Sequence, residues 1–171
     1  MTTLLRRIDA APMRLAHALL VTALISLAGC ATHAPRKVST PPSMLVGDFI
    51  DDYGIGHRID AGEWLQRPDT RYRVVAWHPD AQYLIARNDA GNRSDAGTWT
   101  RIDWLTLPGM PPWEWAFCLS AWDAATQADA ERADIARRDT PKTGCNGYPF
   151  SRMRRVVEQE ERQGREETGS E

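Results

Sequence analysis

Short stretches in which apolar and polar residues alternate dominate the middle of the chain. Residues 44–50 and, more weakly, residues 56–65 are typical of strands that end at turn-forming residues. Residues 71–77 and 82–87 are rich in β-branched and aromatic side chains, and the break at Pro79 predicts a hairpin between them. The pattern therefore predicts consecutive short strands joined by tight turns.

In two later strands the alternation assigns the side chains to opposite faces. In residues 98–105 one face is Thr100, Ile102 and Trp104, and the other is Trp99, Arg101 and Asp103. In residues 113–122, which follow a Pro-rich turn, the apolar face consists of Trp113, Trp115, Phe117 and Leu119. We expect this apolar face to point into the core.

The end of the chain changes character. Residues 123–138 are strong helix formers, with Asp123 as the expected N-cap, and they predict a helix that packs shallowly on the sheet. Residues 151–171 contain five arginines and six glutamates but few large apolar side chains. They predict a charged, partly disordered tail.

These elements define a fold class. Consecutive strands with short turns favour an antiparallel sheet that closes into a small barrel or forms a sandwich, and a calycin-like barrel is one such shape. The expected fold is mainly β with one C-terminal helix. Residues 44–150 are enough for one modest core, so we expect a single globular domain there.

The N-terminal segment carries the most specific motif. An apolar run over residues 15–28 follows a basic start and leads to Leu27-Ala28-Gly29-Cys30, which resembles the lipobox of bacterial lipoprotein signal peptides. A permanent membrane helix would need roughly 20 apolar residues. A buried core helix is the other alternative, but a polar, Pro-bearing stretch follows the run.

The resemblance implies a location. In such lipoproteins residues 1–29 are removed and Cys30 becomes the lipidated first residue; several acyl chains hold a protein stably on a membrane. Residues 30–43 are then a flexible tether. Ala31 stands where an Asp would signal inner-membrane retention, which favours the periplasmic face of the outer membrane in a Gram-negative host and leaves the inner membrane as the alternative.

Charge excludes one class of partner. The chain has 21 basic and 23 acidic residues, and residues 1–29 hold three of the basic and one of the acidic residues. The mature part therefore keeps 18 basic and 22 acidic residues. Such a balance gives no general attraction for nucleic acid.

The remaining cysteines form an even pair once Cys30 is assigned to lipid. In an oxidising, exported compartment Cys118 and Cys145 predict a disulfide. The alternative of a metal site or a nucleophilic thiol lacks a second Cys or His at ligand spacing. We expect a disulfide-stapled domain with no metal and no cofactor.

Tryptophan is the main candidate for ligand contact, because all seven tryptophans lie between Trp64 and Trp122. The alternative is that most of them fill the core of a small sheet domain. Ligand contact is predicted for the mixed strand face and for the Pro-rich turn: Trp99, Arg101, Asp103, Trp113 and Trp115. For Arg101 and Asp103 the alternative is a surface ion pair of little energetic value.

No motif indicates a reaction. His57 and His78 would support a hydrolase if either lay beside a carboxylate in a cleft, but no nucleophile elbow or metal motif accompanies them. Asp48, Asp51 and Asp52 favour an Asx-type turn over a calcium site. The sequence therefore favours a non-catalytic binding or accessory domain whose partner is another envelope protein, with a small-ligand-binding barrel and an envelope hydrolase as alternatives.

Overall fold

Eight strands and one short helix make up the part of the chain that the structure, a computed structural model, describes, residues 40–156. The strands are β1 (Gly47–Asp51), β2 (Gly56–Ile59), β3 (Glu63–Gln66), β4 (Thr70–His78), β5 (Tyr83–Asn88), β6 (Trp99–Thr106), β7 (Trp115–Ala124) and β8 (Ser151–Arg155). The helix is α1 (Gln127–Arg132), and a 3₁₀ turn (Ser43–Leu45) precedes β1. Cys30 and the predicted signal peptide lie outside the described residues.

The strands form a closed antiparallel barrel in chain order. Each strand pairs with the next, and β8 closes the ring by pairing Met153 with Asp51 of β1 on one side and with Trp115 of β7 on the other. Closure leaves no free sheet edge. The predicted fold class is confirmed, with the barrel rather than the sandwich; an up-and-down eight-stranded barrel is also the lipocalin architecture.

Side chains fill the barrel interior. A small barrel of eight strands is just wide enough to be filled in this way. The aromatic members of this core are Phe49, Trp64, Tyr72, Trp77, Trp104, Trp115 and Phe117. Their rings meet edge to face, as in Phe49–Trp115 at 5.2 Å and Trp64–Phe117 at 5.1 Å between centroids. The core interpretation of tryptophan is thus confirmed for Trp64, Trp77, Trp104 and Trp115.

The predicted faces of β6 and β7 are largely confirmed. Ile102 and Trp104 point inward, while Arg101 and Asp103 lie on the outer face. In β7 Trp115 and Phe117 are in the core and Leu119 packs against it. Trp113 was expected in this apolar set, but it precedes the strand and is half-buried outside the barrel.

A second layer covers the outer face of β5, β6 and β7. It is formed by α1 and by residues 133–150, which pack on the sheet through two small apolar clusters around Ala130 and Phe150. The Cys118–Cys145 disulfide, with Cα atoms 5.5 Å apart, joins this layer to β7. The predicted pairing is confirmed.

The predicted helix over residues 123–138 is wrong in extent. Asp123 belongs to β7, because Ala124 still pairs with Trp99 of β6, and the N-cap is Thr126, whose hydroxyl accepts a hydrogen bond from the Asp129 N–H. The helix ends at Arg132. Beyond it, contacts to the barrel draw the chain along the sheet and override helix propensity.

The boundary between domain and tail is also corrected. Residues 151–155, predicted to open a partly disordered tail, form β8 and complete the barrel. Met153 is fully buried in the interior, while the neighbouring arginines stand outside. A strand with a single apolar residue leaves almost no periodic signal in the sequence. The rest of the predicted tail, residues 157–171, lies outside the described residues.

Candidate functional site

The five predicted ligand contacts do not come together in one place. Trp115 lies inside the filled barrel and is fully buried. Arg101 and Asp103 lie beneath the second layer, on the outer face of β6. Trp99 and Trp113 are half-buried at two further positions outside the barrel. The set is therefore divided between the barrel interior and its outer side.

Arg101 and Asp103 form the centre of a buried charge network. The Arg101 guanidinium donates two hydrogen bonds to the Asp103 carboxylate, at 2.8 and 2.9 Å. Asp103 also accepts from the Ser120 hydroxyl at 2.6 Å and from the Arg138 guanidinium at 2.7 Å. Asp103 has no exposed surface and Arg101 is 9% exposed, so the alternative of a surface ion pair is wrong.

This network fastens the second layer to the barrel. Arg138, which follows α1, also donates to the main-chain carbonyls of Trp104 and Gln82. Arg101 donates to the Glu131 carbonyl at the end of α1 and stacks over the Tyr83 ring at 4.0 Å. Because these contacts use both carboxylate oxygens of Asp103, we assign the network a structural role: it holds the second layer on the barrel.

An arginine guanidinium lies over the indole ring of Trp99, and another lies over that of Trp113. The Arg87 guanidinium lies 5.7 Å from the Trp99 centroid, and the Arg152 guanidinium lies 4.9 Å from the Trp113 centroid. Such cation–π contacts stabilise exposed aromatic rings by about 0.5–1 kcal/mol. Part of each ring face is therefore already occupied by a side chain of the protein.

His57 lies inside the barrel with both ring nitrogens engaged. Its Nδ1 accepts a hydrogen bond from the Trp64 indole at 3.0 Å, which requires the tautomer with the proton on Nε2. That Nε2 donates to the Asp51 carboxylate at 3.2 Å. The side chain is almost fully buried, although a surface depression of about 280 Å³ reaches it between Asp48 and Arg67.

This arrangement favours the neutral imidazole. Burial lowers the pKa of His57, and the hydrogen bond and charge of Asp51 offset that effect only in part. Protonation would put a second N–H opposite the Trp64 indole N–H, and two donors cannot share a hydrogen bond. His57 is therefore a neutral buried link between Asp51 and Trp64.

The remaining candidates from the sequence are His78 and the acidic turn around Asp51. His78 stacks on Tyr83, with ring centroids 4.3 Å apart. Asp51 accepts hydrogen bonds from the main-chain N–H groups of Tyr53 and Ile55, as the predicted Asx-type turn requires. Among residues 40–156 no group of three acidic, His or Cys side chains is arranged to hold a metal ion.

An apolar groove lies on the outside of the barrel, at the meeting of the β1–β2 turn, the β6–β7 loop, the end of the second layer and β8. We call it the outer groove. Its volume is about 390 Å³, within the range of small-molecule sites. Its lining residues are Asp52, Leu107, Met110, Ala116, Pro141, Lys142, Pro149, Phe150 and Arg152.

Exposed side chains adjoin the outer groove in the sequence. Met110 is 43% exposed. Tyr53, which follows the lining residue Asp52, is 68% exposed, and Tyr148, which precedes the lining residue Pro149, is 73% exposed. Tyrosine, methionine and arginine are enriched at protein interfaces. The groove thus joins apolar lining to residue types common in binding surfaces.

Sequence reasoning missed the outer groove. Its lining comes from separate parts of the chain, and of these only β7, which contributes Ala116, has a strong alternating pattern. The available signals were the Pro-rich turn before Trp113 and the cluster of turn residues around Cys145, because the disulfide fixes the latter segment beside β7.

Neither protein families nor curated proteins nor solved structures yield a match to this chain. The fold and its site nevertheless define a class: a closed eight-stranded antiparallel barrel with an aromatic-filled interior, a disulfide-linked outer layer and an external apolar groove. In the described part of the chain no helix has the length and apolar character needed to cross a bilayer.

Proposed function

We propose that this protein is a lipid-anchored lipoprotein of the bacterial cell envelope whose barrel is a non-catalytic binding module. The lipobox motif ending at Cys30 supports the anchor, and the absence of Asp at position 31 supports the periplasmic face of the outer membrane. The membrane is then the first partner, through lipidated Cys30. The binding surface is the outer groove.

The filled barrel interior is the observation that carries this proposal. Trp64, Trp115 and Phe49 are at most 2% exposed and pack against one another where a ligand-binding barrel would hold its ligand. A ligand there would have to displace the core. Binding therefore has to use the outside, where the outer groove supplies a concave apolar surface.

A hydrolase is a weaker candidate, despite the contact between His57 and Asp51. A general base must keep one ring nitrogen for the proton it removes. In His57 one nitrogen accepts from Trp64 and the other donates to Asp51. Among residues 40–156 no hydroxyl or thiol is hydrogen-bonded to its ring.

The proposal is tested in cells of a Gram-negative host. An alkyne-labelled palmitate should label the wild-type chain, and the label should disappear in Cys30→Ala. In a second experiment a photo-crosslinking amino acid replaces Met110 in the groove or, as the matched control, Val75 on β4, which is 39% exposed and lies on no element that lines the groove. Met110 should give discrete crosslinked products, to a protein or to a lipid, that Val75 does not.

Two results would count against it. Palmitate labelling that persists in Cys30→Ala would contradict the assigned anchor. Equal crosslinking from Met110 and Val75 would show that the outer groove is not a preferred contact surface, and the binding role would then be lost.

A further inference from the structure

We propose that the outer groove binds a fatty acid, with the acyl chain along the apolar lining and the carboxylate at Lys142. This inference rests on the proposed binding role of the groove and names the ligand class. It is carried by the hydrogen-bonding capacity of the lining and by its charge.

The lining offers few hydrogen-bonding groups to a ligand. Pro141 and Pro149 have no N–H, and the N–H groups of Leu107 and Phe150 already donate to the carbonyls of Glu114 and Pro141. The closed barrel provides no free strand edge there. An extended peptide would leave its main-chain groups without protein partners, whereas an acyl chain needs none.

The charge of the lining selects an anion. Asp52 and Arg152 neutralise each other, with the guanidinium donating to the carboxylate at 2.9 Å. Lys142 is exposed and has no ion-pair partner among residues 40–156. The three charged lining residues therefore leave one uncompensated positive charge beside an apolar surface, which is complementary to a single acyl carboxylate.

The test is a titration of the full chain carrying Cys30→Ala with 11-(dansylamino)undecanoic acid, followed by dansyl fluorescence. We expect saturable one-to-one binding. Lys142→Glu should weaken it by about tenfold, because the carboxylate then meets a like charge, and Met110→Glu should weaken it comparably. The matched controls are Arg93→Glu, whose side chain is 85% exposed, and Val75→Glu; both should bind like the parent.

A competition experiment tests the head group. Undecanoic acid should displace the probe, and its methyl ester should compete at least about tenfold more weakly. The inference is overturned if the ester competes equally, if Lys142→Glu matches Arg93→Glu, or if binding does not saturate. If the fatty acid fails while Met110 still gives discrete protein crosslinks in cells, the groove is a protein-binding surface and only the ligand class is wrong.

Discussion

Asp103 connects β6, β7 and the segment after α1 through one carboxylate. Its partners are the side chains of Arg101, Ser120 and Arg138, and the Arg101 side chain is 10% exposed. Removing one member of a buried ion pair leaves an uncompensated charge in a poorly solvated place. The cost is much larger than that of losing an exposed pair.

Asp103→Asn should therefore lower the free energy of unfolding by about 3–5 kcal/mol. The matched control is Asp69→Asn, which breaks the exposed contact with Arg93 and should change that free energy by less than about 1 kcal/mol. Urea unfolding followed by tryptophan fluorescence measures both. Equal effects of the two substitutions would contradict this role, because the buried network would then stabilise the fold no more than an exposed ion pair does.

His57 predicts a pH dependence of stability with a definite sign. Its pKa is lower in the folded protein than the ordinary histidine value of about 6.5, so the unfolded chain binds more protons near that pH. The stabilisation is complete above pH 6.5 and is lost as the pH falls below it. His57→Gln, which keeps a donor and an acceptor but does not titrate, should lose less stability between pH 7.5 and 5.5 in urea unfolding.

A steeper loss in His57→Gln than in the wild type would contradict the neutral buried imidazole. The comparison also separates His57 from other groups, because the two proteins share every other titrating residue. Sequence reasoning could name His57 as a candidate acid or base, but not its role, since Asp51 and Trp64 reach it only through the turn and the neighbouring strand.

At the scale of elements, the strands with strong alternation could be predicted, and the faces of β6 were assigned correctly. The elements that depend on tertiary contacts could not be predicted from the sequence. β8 depends on Met153 entering a barrel that other strands build, and the short extent of α1 depends on Arg138 bonding to carbonyls of β6 and the β4–β5 loop. Neither dependence leaves a local pattern in the sequence.

The second layer depends on the Cys118–Cys145 bridge. Replacing both cysteines by serine opens a 28-residue loop in the unfolded chain and should lower the free energy of unfolding by about 3.5 kcal/mol in the chain-entropy model. Thermal unfolding with and without dithiothreitol measures this: the wild type should lose stability on reduction, and the double variant should not respond. A wild-type protein indifferent to reduction would contradict the stabilising role.

At the scale of the whole molecule, the proposed binding surface is separate from the barrel interior. The interior is used for stability, with tryptophan and phenylalanine rings in contact, and the second layer with the loops around it builds the outer groove. The sequence indicated many tryptophans and one disulfide, but their division between core and surface follows from closure of the barrel.

Binding outside the barrel is tested most directly by a two-dimensional ¹H–¹⁵N NMR titration of the Cys30→Ala full chain with undecanoic acid. We expect shifts for the main-chain amides of Met110, Lys142 and Phe150, while the indole N–H signals of Trp64 and Trp115 stay unchanged. Shifts of those indole signals with unmoved groove amides would place the ligand inside the barrel and contradict binding at the outer groove.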